Sequence, residues 1–365
     1  MIGGHAPSLI NFHQHLLQEI QQRGYEIHAI GSDDKQTANR LRTMGVHFHS
    51  VPINRHSISP LNDFFYFMRL YTKIRKINPD LCLAYTIKPV IYGLLAARLV
   101  GVKEKYSLII GLGYAFIAKG VKGSFVKMVA CILYTLAFRL SKRVIFLNED
   151  DKDYFCHLKL ISKGKSVVVN GSGVDLTYFI PSPFPKKLAF LMIARFLPEK
   201  GIFEYLEACK RLKAEFPAVR CCLVGFIDNA SAGVTKKTIQ SWEAFGIENL
   251  GKLEDVRPAL REASVLVLPS YREGIPCSVL EAMAMGRPII TTDTPGCRQT
   301  VEEGKNGFLV PIKNSEALYQ AMLKFVNDPA LISSMGEASL ALVREKFDVR
   351  KVNEVMLDIM DLKEC

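Results

Sequence analysis

Arg195 and Lys200 stand five positions apart, just ahead of a helical pattern that opens near Ile202. An Arg offers a planar fork to two oxygens and a Lys a compact point charge, so the pair suits a diphosphate. Taken alone, the two read equally well as solvated surface cations. About 75 residues on, Glu273, Gly274, Ile275 and Pro276 lead into a second helical pattern that carries Glu281. Gly274 lets a ligand approach the backbone, and Pro276 sits where a helix begins, so its first amides can face an anion or sugar hydroxyls. Glu281 falls just over one turn into that helix, where a carboxylate can accept from two vicinal hydroxyls. Glu273 lies ahead of the helix, nearer the centre of the cleft. The bland alternative makes Glu281 a partner of the helix dipole and Glu273 a solvated loop residue.

These residues need elements to hold them. From Leu16 onward helical periodicity alternates with short β-rich runs: 26–31, 81–85, 105–110 and 143–147, then 188–194, 220–224, 264–268 and 288–292. Such alternation predicts parallel sheets covered by helices, with ligands bound beyond the carboxyl ends of the strands. Arg195 and Glu273 both follow predicted strands. Residues 178–187 carry three prolines in five positions and read as a linker. The expectation is α/β throughout: a Rossmann-like domain over 1–177, a second over 188–350, and a helix over 351–365 packing back towards the first. A chain of 365 residues suits two such domains. Gly3 and Gly4 resemble the turn after a first strand, yet only Met1 and Ile2 precede them. Either the first strand is truncated or the start is internal, and the logic of filling a sheet favours the second.

Hydrophobic residues make up 49% and charged residues 23%, an ordinary globular balance. The net charge of +11 is uneven, with 23 Lys and Arg against 12 Asp and Glu in residues 1–180 and 24 against 24 beyond. This asymmetry suggests a polyanionic partner for the first half. Between Ser124 and Arg143, Lys127, Arg139, Lys142 and Arg143 fall on one side of a helical projection, which predicts a cationic face towards an anionic membrane. The longest apolar run, 128–138, is short of the ~20 residues of a span, and no secretory signal is visible. Nine cysteines without a Cys-x-x-Cys pair fit a reducing cytosol.

Asn170-Gly-Ser-Gly-Val-Asp175, Ala194-Arg195 with Lys200-Gly201, Pro269-Ser-Tyr-Arg-Glu-Gly-Ile-Pro276 and Glu281-Ala-Met-Ala-Met-Gly-Arg-Pro288 together resemble the "group 1" retaining glycosyltransferases, family 4, of GT-B fold. The resemblance is strong from about Val169 to Pro311. It implies two Rossmann-like domains facing across a cleft and a UDP- or GDP-sugar donor held by the second. Arg195 and Lys200 would hold the diphosphate and stabilise its departure without a metal. Glu281 would hold the ribose, and Glu273 with the Gly274, Ile275 and Pro276 backbone the transferred sugar. The base would rest near Lys252 and Leu253, and Gly3 and Gly4 would lie near the donor. The segments Ala84-Tyr-Thr-Ile-Lys88-Pro-Val-Ile-Tyr-Gly93 and Ile110-Gly-Leu-Gly-Tyr114 look like those of bacterial members that extend undecaprenyl-diphosphate-linked sugars, N-acetylgalactosaminyltransferases included. A HexNAc donor, a lipid-linked saccharide acceptor and a peripheral place on the cytoplasmic face of the inner membrane are therefore expected. His13, Lys88 and Lys119 are candidates for the acceptor site. Some members carry a His in the loop matching 110–114, which this chain lacks.

Other readings are weaker. A soluble or lipopolysaccharide acceptor would fit the same fold. Asp151-Lys152-Asp153 matches a metal-binding Asp-x-Asp string, but Asn148 followed by acidic residues looks like a capped helix start. Gly111-Leu-Gly113 lacks the third glycine and the later acid of a dinucleotide fingerprint. A nucleic-acid binder would have no use for a near-neutral second domain with paired carboxylates.

Overall fold

The computed structural model describes residues 1–55, 59–113, 116, 120–227 and 233–364. The chain forms two units, Met1–Ser172 with Val352–Cys365, and Gly173–Lys351. The change of unit at Ser172/Gly173 lies ahead of the proline-rich segment, so residues 178–187 are not the linker. Arg287 explains why: its buried guanidinium donates to Ser182 O at 2.9 Å, Ser182 Oγ at 2.7 Å and Pro183 O at 3.0 Å. It also stands 4.7 Å from the Phe184 ring centre. Those contacts bind the segment to the second unit.

In the first unit the strands β1 (His28–Gly31), β2 (His47–Ser50), β3 (Leu81–Tyr85), β4 (Glu104–Ile109), β5 (Arg143–Phe146) and β6 (Ser166–Val168) are parallel. Their pairing is β1 with β2 and, separately, β3-β4-β5-β6. Ile2 bridges the two groups, pairing with Ile30 and Ala84. The bonds are Ile2 N to Leu83 O at 2.8 Å, Gly3 N to Ile30 O at 2.9 Å and Tyr85 N to Ile2 O at 2.9 Å. A single bridging residue thus holds the place where the sequence predicts a first strand. The connections β2 to β3, β3 to β4 and β4 to β5 all run the same way across the sheet. Right-handed crossovers then place helices Pro60–Ile77, Leu94–Val100 and Gly120–Leu140 on one face, and Pro7–Gln22 and Lys35–Thr43 on the other.

The second unit is a six-stranded parallel sheet in the order β12-β11-β10-β7-β8-β9. Its strands are β7 (Ala189–Ile193), β8 (Arg220–Val224), β9 (Glu248–Asn249), β10 (Val265–Leu268), β11 (Ile289–Thr292) and β12 (Gly307–Val310). The central strands are apolar along their whole length, as strands covered on both faces must be. From β7 the chain winds outward through β8 and β9, then returns to β10 on the other side of β7. The order reverses between β7 and β10, and such a switch point is where open α/β sheets bind ligands.

Candidate functional site

The loops after β7 and β10 flank this switch point and are tied to each other. Gly201 ends the first loop at φ 72°, and a Cβ there would stand 2.1 Å from Pro269 O. Only glycine permits that approach. Tyr271 N and Ser270 Oγ both donate to Glu199 O, at 2.9 and 3.2 Å. Lys200 Nζ donates to Glu273 Oε1, both side chains being largely buried. Arg195 is exposed at the end of β7. Arg195, Lys200 and Glu273, singled out from sequence, are therefore brought to adjoining loops.

A third loop supports the second. Glu273 N donates to Pro295 O at 3.2 Å, and a Cβ on Gly296 would lie 2.1 Å from Gly274 O. Thr292 Oγ1 bonds Ser270 O. With Gly274, Ile275 and Pro276 so held, helix Cys277–Ala284 starts at Pro276 in extended conformation, with no side-chain cap on its first amides. Its positive end suits an anion or hydroxyl oxygens. Glu281 sits a turn inside. Burial pushes its carboxyl up to about 8, with the negative Asp255 adding to the rise. Burial, then Glu281 and Glu273, push the Cys277 thiol up to about 12, so it is no nucleophile near neutrality.

Lys252 and Leu253 follow β9. Gly225 N donates to Gly251 O at 2.9 Å, which joins this loop to the end of β8, and Lys252 Nζ lies 5.2 Å from the Phe226 ring centre. Sequence reading missed Phe226 and Gly296. The signal for Phe226 was available, a large aromatic directly after a predicted strand. Gly296 had none, because its role depends on a carbonyl 22 positions away.

The first-unit candidates fare differently. A Cβ on Gly3 would stand 2.2 Å from Tyr85 Oη, and one on Gly4 2.8 Å from Thr86 Oγ1. Both glycines thus make room for the end of β3. His13 is buried against the Tyr85 ring at 4.7 Å, and burial brings its imidazole down to about 4. It is neutral at physiological pH, so the expected acceptor cation is corrected to an uncharged core residue. Lys88 pairs with Asp63 Oδ1 at 2.5 Å and donates to Asn54 O at 2.9 Å, while Tyr92 Oη donates to Asp63 Oδ2 at 3.0 Å. Its charge is offset within the unit by Asp63. Lys119 lies outside the described residues.

Two of the cations expected on one face over 124–143 lie beyond helix Gly120–Leu140 and are engaged within the unit, while Arg139 on the helix is exposed. Lys142 bonds Asp361 at 2.6 Å and Glu104 at 2.9 Å, and Arg143 donates to Gly164 O. These cations hold the unit together, while Phe125, Met128, Ile132 and Leu136 face outward. Asn148 caps helix Glu149–His157, accepting from Asp151 N at 2.7 Å. Asp151 is buried beside it while Asp153 is exposed, so the two carboxylates do not converge. A cavity of about 590 Å³ in the first unit lies at the amino ends of β3 and β4, beside Leu81 and Glu104, and so at the wrong end of the sheet for this chemistry.

Residues 177–341 match the family model for glycosyl transferases group 1, and residues 8–148 the model for glycosyl transferase 4-like domains. Among curated relatives is the N,N'-diacetylbacillosaminyl-diphospho-undecaprenol alpha-1,3-N-acetylgalactosaminyltransferase of Campylobacter jejuni. It is 29% identical over 341 residues, covering 89% of this chain and 88% of that protein. The UDP-Gal:alpha-D-GlcNAc-diphosphoundecaprenol alpha-1,3-galactosyltransferase of Escherichia coli is 27% identical over 299 residues, 77% and 75% of the two chains. Among solved structures, Anabaena Alr3699/HepE in complex with UDP and glucose has a TM-score of 0.81 at 17% identity, covering 99% of this chain and 98% of that one. Sucrose-phosphate synthase from Thermosynechococcus elongatus gives 0.79 at 15%, covering 99% and 97%.

Proposed function

Because the chain belongs to the group 1 glycosyltransferases of GT-B fold, we propose that it transfers a sugar, of the N-acetylhexosamine class, from its UDP form with retained configuration to a polyprenyl-diphosphate-linked saccharide. The reaction breaks the bond between the anomeric carbon and the diphosphate oxygen and forms one to an acceptor hydroxyl, whose proton is released. Arg195 and Lys200 neutralise the departing diphosphate, an effect strongest where water is excluded. Glu281 accepts from the ribose hydroxyls. Glu273 and the Gly274 to Pro276 backbone hold the transferred sugar, and Lys252 with Leu253 flank the base. The acceptor class is supported by the two undecaprenyl-diphosphate-dependent relatives, the donor class by the UDP-Gal enzyme. The cytoplasmic face of the inner membrane is the proposed place of work.

The observation that carries the donor assignment is the pairing of Lys200 with Glu273 at the switch point, beside an uncapped helix start. The test is a screen of UDP- and GDP-sugars against short-chain prenyl-diphosphate saccharides, with the product anomer read by NMR. Turnover with a UDP-HexNAc and an α-linked product is expected. Turnover only with GDP-sugars, or inversion, would overturn it.

A further inference from the structure

Glu204 stands in the first turn of helix Ile202–Glu215, four residues after Lys200. Its Oε1 accepts from Tyr271 Oη at 2.7 Å. Its Oε2 is the one carboxylate oxygen among the described residues that is shielded from solvent and lacks a hydrogen-bond partner. An unpaired buried acceptor is costly, and native folds keep few such groups without a functional reason. A Gln here would brace a loop without a buried charge. What the carboxylate adds is strength, since an O–H donated to it is roughly twice as strong as a bond between neutral groups.

Tyr271 is the residue so gripped. Burial, then the bond to Glu204, push its phenol well above the ordinary range, so the hydroxyl stays a donor. The ring is held on its face as well, with Lys313 Nζ 5.3 Å from its centre. Lys313 lies between β12 and helix Ser315–Asn327, so side chains from two other elements converge on this one. The backbone joins them, because Tyr271 N donates to Glu199 O at 2.9 Å. Two residues on, Glu273 meets Lys200 at its tip while its own N donates to Pro295 O. The place of Glu273 therefore depends on a chain that is fastened at Tyr271. A shift of 1 Å in a reacting constellation can cost about a hundredfold in rate.

We propose that Glu204 and Tyr271 are positioning residues for the transfer, their hydrogen bond setting the loop that aims Glu273 at the sugar. The proposal deepens the function given above and rests on the role assigned there to Glu273. Its test uses the full-length protein, reading UDP release from UDP-N-acetylgalactosamine with a short-chain prenyl-diphosphate saccharide present, and UDP affinity by calorimetry. Tyr271→Phe and Glu204→Ala should each lower turnover about tenfold, at a UDP Kd within about twofold of wild type. Glu204→Gln, still an acceptor but uncharged, should fall between Glu204→Ala and wild type. The decisive measurement is a double-mutant cycle. In a Glu273→Ala background, Tyr271→Phe should change turnover by less than about twofold, because a residue acting through Glu273 then has nothing to aim. A brace that merely holds the fold would lower turnover equally in both backgrounds, and that result would overturn the proposal. So would wild-type turnover in Tyr271→Phe, or UDP binding lost in step with turnover. Wild-type turnover in Glu273→Ala itself would remove the role of Glu273, and with it the premise, whatever Tyr271→Phe does.

Discussion

Lys200 donates to the carboxylate of Glu273 across two loops that are 73 residues apart in sequence and adjacent at the switch point of one sheet. Cation and acid hold each other, so a diphosphate bound as proposed would share Lys200 with Glu273. Removing the acid should therefore separate binding from chemistry. Glu273→Ala is expected to lower turnover by about a hundredfold or more while leaving UDP affinity unchanged or a few-fold tighter, as read by titration calorimetry and initial rates. Loss of UDP binding in parallel with turnover would remove Glu273 from the sugar end.

Lys200→Ala should act in the opposite sense, weakening UDP by roughly tenfold and lowering Tm, since the largely buried Glu273 then lacks its partner. Arg195→Ala, at an exposed position, should weaken UDP with a smaller change in Tm than Lys200→Ala. An unchanged Kd in either variant would undo the diphosphate assignment.

Glu281 gives a pH dependence of defined sign. Its folded pKa of about 8 lies above the ordinary value of 4.5, so the native state binds more protons between those limits and stability falls as pH rises through them. Glu281→Gln carries no such dependence. The variant should match wild type in Tm near pH 5 and exceed it near pH 8.5, while UDP should protect wild type more than the variant at the higher pH. A Tm difference that is flat with pH would show that the carboxyl is not desolvated.

Arg287 was quoted in sequence only as part of a motif, and its work is structural. Besides Ser182 and Pro183, it donates to Leu260 O at 3.0 Å and Arg261 O at 3.3 Å, although burial lowers its guanidinium to about 10. Arg287→Ala leaves these buried oxygens without a donor and should cost about 3 kcal/mol or more, a fall in Tm of roughly 6–12 °C. Residual native protein should bind UDP normally.

Gly296→Ala should distort the carbonyls of Glu273 and Gly274, because the added carbon would lie 2.5 and 2.1 Å from them and the residue sits at φ 79°. The expected result is a raised donor KM, about tenfold or more, with acceptor KM unchanged. Equal effects on both substrates would place the loop elsewhere in the reaction.

What was legible from sequence was local. The runs at 81–85 and 220–224 are strands over those same residues, and the helix expected from Ile202 starts there, because alternation, apolar runs and glycine breaks are written in neighbouring positions. The loops proposed to hold the donor were legible because each follows its strand directly. Short strands such as Ser166–Val168 and Gly307–Val310 were not, having too few residues to show a period. Pairing across distance was invisible as well. Nothing near Lys88 in sequence announces Asp63, nothing near His13 announces the core that closes over it, and nothing near Arg287 announces the proline segment that wraps it.

The chain leaves the first unit after Ser172 and re-enters it at Val352, where Asn353 donates to Glu19 at 2.8 Å and Arg23 donates to Leu362 O. By connectivity the second unit is therefore enclosed between two stretches of the first. A nonsense mutation near codon 352 would leave the whole second unit encoded and strip the first of its closing helix, so a loss at the far end of the gene would injure the unit that begins it.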